Sequence, residues 1–162
     1  MSNIFIILLY LVSIISANLL VATFGTQAVI IVAFLFIGLD ITARDKLHEA
    51  WRNEGLVWKM GLLIAVGSIL SYLLNRNSAS IAIASFVAFA SASIVDAIIY
   101  HLLRNKKYLV KVNGSNVFSA LVDSIVFPTI AFGGFLPLVT LGQFGAKILG
   151  GFVWSIILRK RK

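Results

Sequence analysis

The feature that most constrains this sequence is the run from Met1 to Leu39, which contains no charged side chain. A helix that crosses a bilayer needs roughly 20 apolar residues, so this run can hold two crossings joined by a turn at residues 23–27. A secretory signal peptide is not expected, because no Lys or Arg precedes the apolar stretch, which far exceeds the roughly 7–15 residues of such a signal. This run alone predicts a chain that crosses a membrane more than once.

The composition of the whole chain supports the same conclusion. Of 162 residues, 60% are hydrophobic and 12% are charged, whereas a soluble domain carries about 25% charged residues. Since a soluble protein this apolar could not cover its surface with polar groups, lipid is the expected solvent. We therefore predict an all-α membrane protein with six transmembrane helices in a single domain, residues 1–162. The predicted spans are 4–24, 27–43, 56–75, 79–103, 116–136 and 138–158.

The loops between the predicted spans are short, so consecutive helices are expected to be antiparallel neighbours. The polar stretch at residues 44–55 is expected to continue the second span as an interfacial helix, with Trp51 and Trp58 at the depth of the lipid headgroups. Small residues in the last span are expected to allow close approach of a neighbouring helix. These residues are Gly142, Gly145, Gly150 and Gly151.

The basic residues indicate how the chain is oriented. All Lys and Arg residues except Arg76 and Lys147 belong to three clusters, which follow the second, fourth and sixth predicted spans. The clusters are Arg44, Lys46, Arg52 and Lys59; Arg104, Lys106, Lys107 and Lys111; and residues 159–162. Since cytoplasmic loops of membrane proteins collect Lys and Arg, both termini are predicted to be cytoplasmic. The formal net charge of +8 is thus expected to flank the membrane, and no nucleic-acid partner is predicted.

Four ionisable residues fall inside predicted spans: Asp40, Asp96, Asp123 and Lys147. Each costs roughly 2.5–3.5 kcal/mol at the centre of a membrane helix on insertion scales. Such residues usually face the interior of a helix bundle or a water-filled cavity, where they mark a functional site. The alternative is that they hold neighbouring helices together through hydrogen bonds or ion pairs. Asn18 adds an uncharged polar group in the first span.

Helical spacing places polar and aromatic residues on common faces with these charges. The three faces are Phe89, Ser93 and Asp96; Asn116, Ser119, Asp123 and Phe127; and Gln143, Lys147 and Trp154. A carboxylate or amine beside an amide and an aromatic ring suits a flat ligand with hydrogen-bonding edges. Helix rise puts Asp96 and Asp123 at similar depth. We therefore expect both to face a common cavity near Lys147, and at least one of them to pair with Lys147.

Signatures of enzymes and of metal sites are absent from the sequence. Residues 142–147 lack the spacing of a phosphate-binding loop and the Ser or Thr after its Lys, so the chain is not expected to hydrolyse ATP by itself. An intramembrane aspartyl protease needs an Asp pair, which Asp96 and Asp123 could supply, but its Gly-x-Gly-Asp element is missing. Since the chain has no cysteine and no metal-ligand spacing of His, neither a metal nor a cofactor is predicted.

Four blocks, in order along the chain, resemble the queuosine-precursor transporter family, also called the vitamin uptake transporter family. They are residues 36–44, which contain an Asp-x-x-x-Arg element; residues 83–104; residues 115–132; and the last span with its lysine. Asn18 in the first span also fits the resemblance. The resemblance implies import of a queuosine precursor, such as 7-cyano-7-deazaguanine or a related deazapurine, across the cytoplasmic (inner) membrane.

The residues that we predict to bind such a substrate combine the intramembrane polar groups with the family resemblance. They are Asn18, Asp40, Arg44, Phe89, Asp96, Asn116, Asp123, Gln143 and Lys147. A guanine-like edge offers adjacent N–H donors to a carboxylate, and its carbonyl oxygen can accept from Lys147 or Gln143. The fused ring would stack on an aromatic side chain such as Phe89.

Two other functions stay open on the sequence alone. One is a substrate-binding membrane subunit that works with a separate ATP-driven module. The other is a structural or pore-forming membrane protein, which would not need three buried Asp residues and a Lys. The sequence also leaves open the oligomeric state, a homo-oligomer included, the energy coupling of transport and the identity of the deazapurine.

Overall fold

A computed structural model describes residues 3–51, 55–106 and 108–158. Within these residues the chain forms helices and no strand. We number six of them: α1 (Asn3–Phe24), α2 (residues 26–50), α3 (Leu56–Leu74), α4 (Ala79–Leu102), α5 (Tyr108–Ala131) and α6 (Pro137–Ile157), with a 3₁₀ turn at Arg76–Ser78. The predicted all-α fold is confirmed, whereas the cytoplasmic location of the termini stays a prediction. Of the basic clusters, Arg52, Lys107 and residues 159–162 lie outside the described residues.

The outer surface of the helices suits lipid. Four segments are long and apolar enough to cross a membrane, Asn3–Phe24, Thr26–Leu47, Arg76–Asp96 and Gly114–Ala131, and Trp58–Leu74 is a shorter apolar helix. Helix α6 is not among these four segments, and its polar residues Gln143 and Lys147 lower its mean hydropathy. Each of the six helices exposes large apolar side chains, such as Leu73 and Phe152, and contiguous apolar surface of this extent is rare on a soluble monomer.

The predicted turn at residues 23–27 is centred on Gly25, between α1 and α2. Gly25 has a φ of 62°, which glycine adopts without the steric cost that a Cβ brings. Its N–H donates to the carbonyl of Val21 at 2.8 Å, which satisfies a carbonyl at the end of α1. A single glycine therefore reverses the chain between two long apolar helices.

Helix α2 contains a π-helical segment in its middle. It is α-helical over Thr26–Val32, π-helical over Ala33–Ile37 and α-helical again over Gly38–Ala50. The polar stretch after residue 43 continues the helix, as predicted. Short π-helical segments inside α-helices occur frequently at functional sites, and this one immediately precedes the part of α2 that carries Asp40.

The π-helical segment packs closely against α6. A Cβ added to Gly38 would lie 2.5 Å from the carbonyl carbon of Gly150, and a Cβ on Gly150 would overlap the backbone of Phe34. The indole nitrogen of Trp154 donates to the carbonyl of Leu35 at 2.8 Å. The predicted role of small residues in close packing is thus confirmed at Gly150, whereas a Cβ on Gly145 would meet nothing within 4 Å.

The six helices pack in a closed ring. Around the ring the order is α1, α2, α6, α5, α4 and α3, and α3 closes it against α1; the α4–α5 hairpin is the most extensive pair. The prediction that all consecutive helices are neighbours is wrong for α2 and α3. Helix α1 lies between them, because Tyr10 and Ile14 share one hydrophobic cluster with Leu47 of α2 and Ile64 of α3. The inner faces of this ring enclose the candidate site.

Helix α5 is longer than predicted, since it begins at Tyr108 and not at residue 116. The prediction followed the loss of hydropathy in residues 108–115, a segment with Lys, Asn, Gly and Ser. Hydropathy reports contact with lipid and does not report where a helix begins. The backbone remains helical through this segment alongside α4.

Candidate functional site

A cavity lies inside the ring and is lined by side chains from all six helices. Its volume is about 90 Å³, whereas one water molecule needs roughly 10–15 Å³ by the same measure. The space therefore holds several waters or one small ligand. Aliphatic residues such as Val29 and Ile37 form much of the wall, and a smaller set of polar groups interrupts it. This combination is typical of small-molecule sites.

All of the site residues predicted from the sequence, except Asp96, line this cavity. They are Asn18, Asp40, Arg44, Phe89, Asn116, Asp123, Gln143 and Lys147. These residues come from α1, α2, α4, α5 and α6, so they converge only because the ring closes. Their convergence is a finding about geometry, and their contact with a substrate stays a prediction.

An ion pair joins α5 and α6 at the cavity wall. The ammonium of Lys147 donates to Oδ2 of Asp123, which confirms the prediction that an intramembrane Asp pairs with Lys147. The side chain of Lys147 is 1% exposed and that of Asp123 is 24% exposed, so the carboxylate is the more accessible partner. An ammonium buried without its counterion costs several kcal/mol. Asp123 therefore supplies the counterion of Lys147 inside the membrane.

Asn18 connects three helices. Its amide nitrogen donates to Oγ of Ser71 on α3 at 3.2 Å, and its carbonyl oxygen accepts from Oγ of Ser85 on α4 at 2.6 Å. Ser71 in turn donates to the carbonyl of Gly67 at 2.7 Å. Because Asn18 is buried, these bonds fix α1 against α3 and α4. An amide has two donor hydrogens and two acceptor lone pairs, so capacity remains on Asn18 for a ligand.

Asp40 and Arg44 lie one turn apart on α2. The guanidinium carbon of Arg44 is 5.7 Å from the centroid of the Phe89 ring on α4, a separation typical of a cation–π interaction. Electrostatic interactions connect Arg44 with Asp40 and with Asp96, and connect Asp40 with both members of the ion pair formed by Asp123 and Lys147. The charged groups of α2, α4, α5 and α6 therefore form one interacting set around the cavity.

Four cavity-lining side chains carry a buried polar atom that has no hydrogen-bond partner among the described residues. The atoms are the hydroxyl oxygen of Tyr10, Oδ1 of Asp40, Nε of Arg44 and Oε1 of Gln143. Folded proteins pair the large majority of such buried side-chain atoms. Because these four belong to one cavity, we interpret them as groups that a bound ligand or ordered water completes. The set includes both donors and acceptors.

Asp96 is the one predicted site residue that does not reach the cavity wall. Helices α4 and α5 are adjacent, as the prediction required, but only Asp123 of the two carboxylates lines the cavity. On α4 the wall ends at Ala92, and Asp96 lies one further turn along. Oδ1 of Asp96 is buried and has no hydrogen-bond partner within the described part of the chain. Equal depth did not imply a shared cavity, because the cavity is shorter than the faces that border it.

Tyr10 is a cavity residue that the sequence analysis did not select. Its side chain is 0% exposed, and it lines the cavity from α1. A signal for it was present in the sequence. A buried Tyr hydroxyl usually finds a hydrogen-bond partner, and the run from Met1 to Leu39 offers few polar side chains that could be that partner. Ser85 was also missed, because its role as a donor to Asn18 depends on the approach of α1 to α4.

A comparison with protein families places this cavity in a known context. Residues 2–159 match the family model described as "Putative vitamin uptake transporter". The chain belongs to this family. The match extends over all six helices, so the whole cavity wall lies inside the matched region. The chain matches no curated protein and no solved structure.

Membership in the vitamin uptake transporter family agrees with the fold. A family of transporters is not a class of enzymes, and the apolar outer faces of the helices are those of a multi-pass membrane protein. A closed helix ring around a small cavity is an architecture in which a solute can be held away from both aqueous phases.

Proposed function

We propose that this chain imports a queuosine precursor, 7-cyano-7-deazaguanine or a related deazapurine, across the cytoplasmic (inner) membrane. The observation that carries the proposal is the cavity wall, where carboxylate, ammonium, guanidinium, amide and aromatic groups meet in one small space. The family supports uptake as the activity, and the chemistry of the wall supports the class of substrate.

The hydrogen-bonding groups of a guanine-like ring are complementary to this wall. Its adjacent N–H donors suit the carboxylate of Asp123, which is partly accessible while it pairs with Lys147. Its carbonyl oxygen accepts from a donor such as the ammonium of Lys147, and its ring nitrogens can donate to Oε1 of Gln143. The flat face of the ring suits stacking on Phe89 or Phe127, both of which line the cavity.

The charge balance of the wall favours an uncharged substrate. Both cations at the cavity already face carboxylates: Lys147 pairs with Asp123, and Arg44 interacts with Asp40 and Asp96. An anionic vitamin would need a cation whose charge is not already compensated, and a buried uncompensated charge is costly. A neutral deazaguanine adds no charge to the site.

The test uses proteoliposomes in which the purified chain is the only protein. It measures the uptake of radiolabelled 7-cyano-7-deazaguanine and its exchange for unlabelled compound. We expect uptake and exchange that unlabelled deazaguanine inhibits and that biotin, an anionic vitamin, does not. Binding without any transport would instead indicate a subunit of an ATP-driven importer. The absence of both binding and transport would refute the proposal and favour a structural or pore-forming protein.

A pair of Gln variants tests the cavity directly. Oε1 of Gln143 has no partner among the described residues, so Gln143→Leu should leave the empty protein about as stable as wild type. Loss of one hydrogen bond to substrate, about 0.5–1.5 kcal/mol, should weaken deazaguanine binding roughly 2- to 12-fold. Gln27→Leu, on the exposed surface of α2, is the matched control and should bind as wild type does. Equal affinity in the two variants would remove Gln143 from the substrate site.

A further inference from the structure

We propose that Asp40 carries a proton in the resting transporter and that substrate uptake is coupled to the entry of one proton through this carboxyl group. The inference rests on the proposed function, because it concerns how the same cavity is energised. It is carried by the position of Asp40 among the charged groups of the ring and by one of its oxygens, which has no hydrogen-bond donor within the described part of the chain.

Asp40 is buried at the cavity wall, and its surroundings can be stated group by group. Its side chain is 7% exposed, and its Oδ1 has no hydrogen-bond partner among the described residues. The titratable and charged groups that face it are Tyr10 of α1, Arg44 and Asp45 of α2, Asp123 of α5 and Lys147 of α6. The side chains of α3 and α4 at the cavity wall, Ile64, Ser85, Phe89 and Ala92, are uncharged.

The two cations near Asp40 are both shared with other carboxylates. Lys147 forms an ion pair with Asp123, and Arg44 interacts with Asp45 and Asp96 as well as with Asp40. This interacting set contains four carboxylates, those of Asp40, Asp45, Asp96 and Asp123, and only two cations, Arg44 and Lys147. With every group ionised, this set carries an excess negative charge in a medium that solvates charge poorly.

A proton on Asp40 reduces this excess. An ionised carboxylate oxygen without a donor is costly in a low-dielectric interior, whereas a protonated carboxyl is neutral and can itself donate a hydrogen bond. The other cavity-lining carboxyl, Asp123, already accepts a hydrogen bond from the ammonium of Lys147. Asp40 is therefore the cavity-lining carboxyl whose protonation lowers the excess negative charge of this set.

The transport cycle that follows moves one proton with each substrate molecule. A proton from the external phase binds Asp40, the neutral substrate binds beside it, and both leave to the cytoplasm when the cavity opens inward. The empty cavity, with Asp40 ionised, then reopens to the external phase. Because the substrate is uncharged, each turnover carries one positive charge inward. A membrane potential of 100 mV, negative inside, then supports accumulation of up to roughly 50-fold.

The experiment uses the full chain in proteoliposomes with labelled 7-cyano-7-deazaguanine. It measures three quantities: binding, exchange at equal pH, and accumulation driven by an acid-outside pH gradient. In wild type we expect all three, with accumulation abolished by a protonophore. In weakly buffered medium, addition of substrate should raise the external pH, because about one proton leaves the medium with each substrate molecule that is taken up. Accumulation that persists at equal pH with a protonophore, or an external pH that does not change during uptake, would overturn proton coupling.

Three variants locate the coupling at Asp40. Asp40→Asn cannot release a proton, so we expect it to keep measurable, reduced binding and exchange while it loses gradient-driven accumulation. Asp40→Glu retains a titratable carboxyl and should accumulate substrate. Gln27→Leu, on the exposed surface of the same helix, is the control that should accumulate as wild type does. Gradient-driven accumulation by Asp40→Asn equal to that of wild type would overturn the assignment. If Asp40→Asn does not fold, failure of a folded Asp40→Glu to accumulate would do the same.

The same measurements separate this inference from the proposed function. If wild type neither binds nor exchanges deazaguanine, the proposed function fails and the coupling inference fails with it. If wild type binds and exchanges deazaguanine but its accumulation ignores the pH gradient, the proposed function stands and proton coupling through Asp40 is wrong.

Discussion

The ion pair between Asp123 and Lys147 makes a quantitative prediction about stability. At a usual charged hydrogen-bond distance of about 2.8 Å and an effective dielectric constant of about 20, the attraction is about 6 kcal/mol before desolvation is subtracted. Removing one partner of a buried pair typically costs about 3–5 kcal/mol, because the other charge stays buried and unpaired. We therefore expect Asp123→Asn and Lys147→Met each to lower the free energy of unfolding by about 3–5 kcal/mol.

The double variant is the informative one. Asp123→Asn with Lys147→Met leaves no unpaired charge, so it should be more stable than either single variant, and the two single losses should not add. Stability can be measured by SDS titration of the purified protein, followed by the fluorescence of its tryptophans. Tyr72→Phe, at an exposed position, is the control and should change stability by less than about 0.5 kcal/mol.

Two results would refute this reasoning. One is a loss of only about 0.6 kcal/mol in Asp123→Asn, the average of an interhelical hydrogen bond in a membrane, which would make the pair ordinary helix packing. The other is a double variant whose loss equals the sum of the two single losses. Deazaguanine binding should be weak in the double variant even where its stability recovers, because the acceptor and donor for the ring edge are both gone.

Three further predictions concern other parts of the ring. Gly150→Ala should prevent stable assembly, because its Cβ would overlap backbone of the neighbouring helix, whereas Gly145→Ala should yield normal amounts of folded protein by size-exclusion chromatography; equal yields would contradict the close packing. Tyr10→Phe removes an unpartnered buried hydroxyl, so SDS unfolding should be unchanged while deazaguanine affinity falls roughly 2- to 12-fold, and Tyr72→Phe, at an exposed position, should alter neither. Reporter fusions should place the loops after α2 and α4 and the C-terminus inside and Arg76 outside; an external loop after α4 would overturn the topology.

Most of the fold followed from physical rules that act locally along the chain. The uncharged run from Met1 to Leu39 required two apolar helices, and the glycine between them supplied the reversal. The polar residues of the site were also predictable, because a charge such as Lys147 is costly in lipid wherever the helix is placed. For that reason the residues that line the cavity on α5 and α6 could be selected before any packing was known.

The features that the sequence did not predict depend on how helices pack with one another. No local rule places α1 between α2 and α3, since that order comes from the hydrophobic cluster that Tyr10 shares with Leu47 of α2 and Ile64 of α3. The same packing decides that the cavity ends at Ala92 and excludes Asp96. The π-helical segment Ala33–Ile37 is likewise understandable only beside Gly150, against whose backbone it packs.

Intramembrane polar residues were expected to be either ligand-binding groups or contacts that hold helices together, and in this fold the same residues line the cavity and join helices. Asn18 and Asp123 both line the cavity and both make bonds between helices. A transporter that must change shape gains from this arrangement, because a ligand that competes for such a bond also changes the contact between two helices. Substitution of either residue should therefore alter stability and binding together. Gln143 and Tyr10 each carry a buried polar atom without a partner in the described chain, and substitution of these two should alter binding alone.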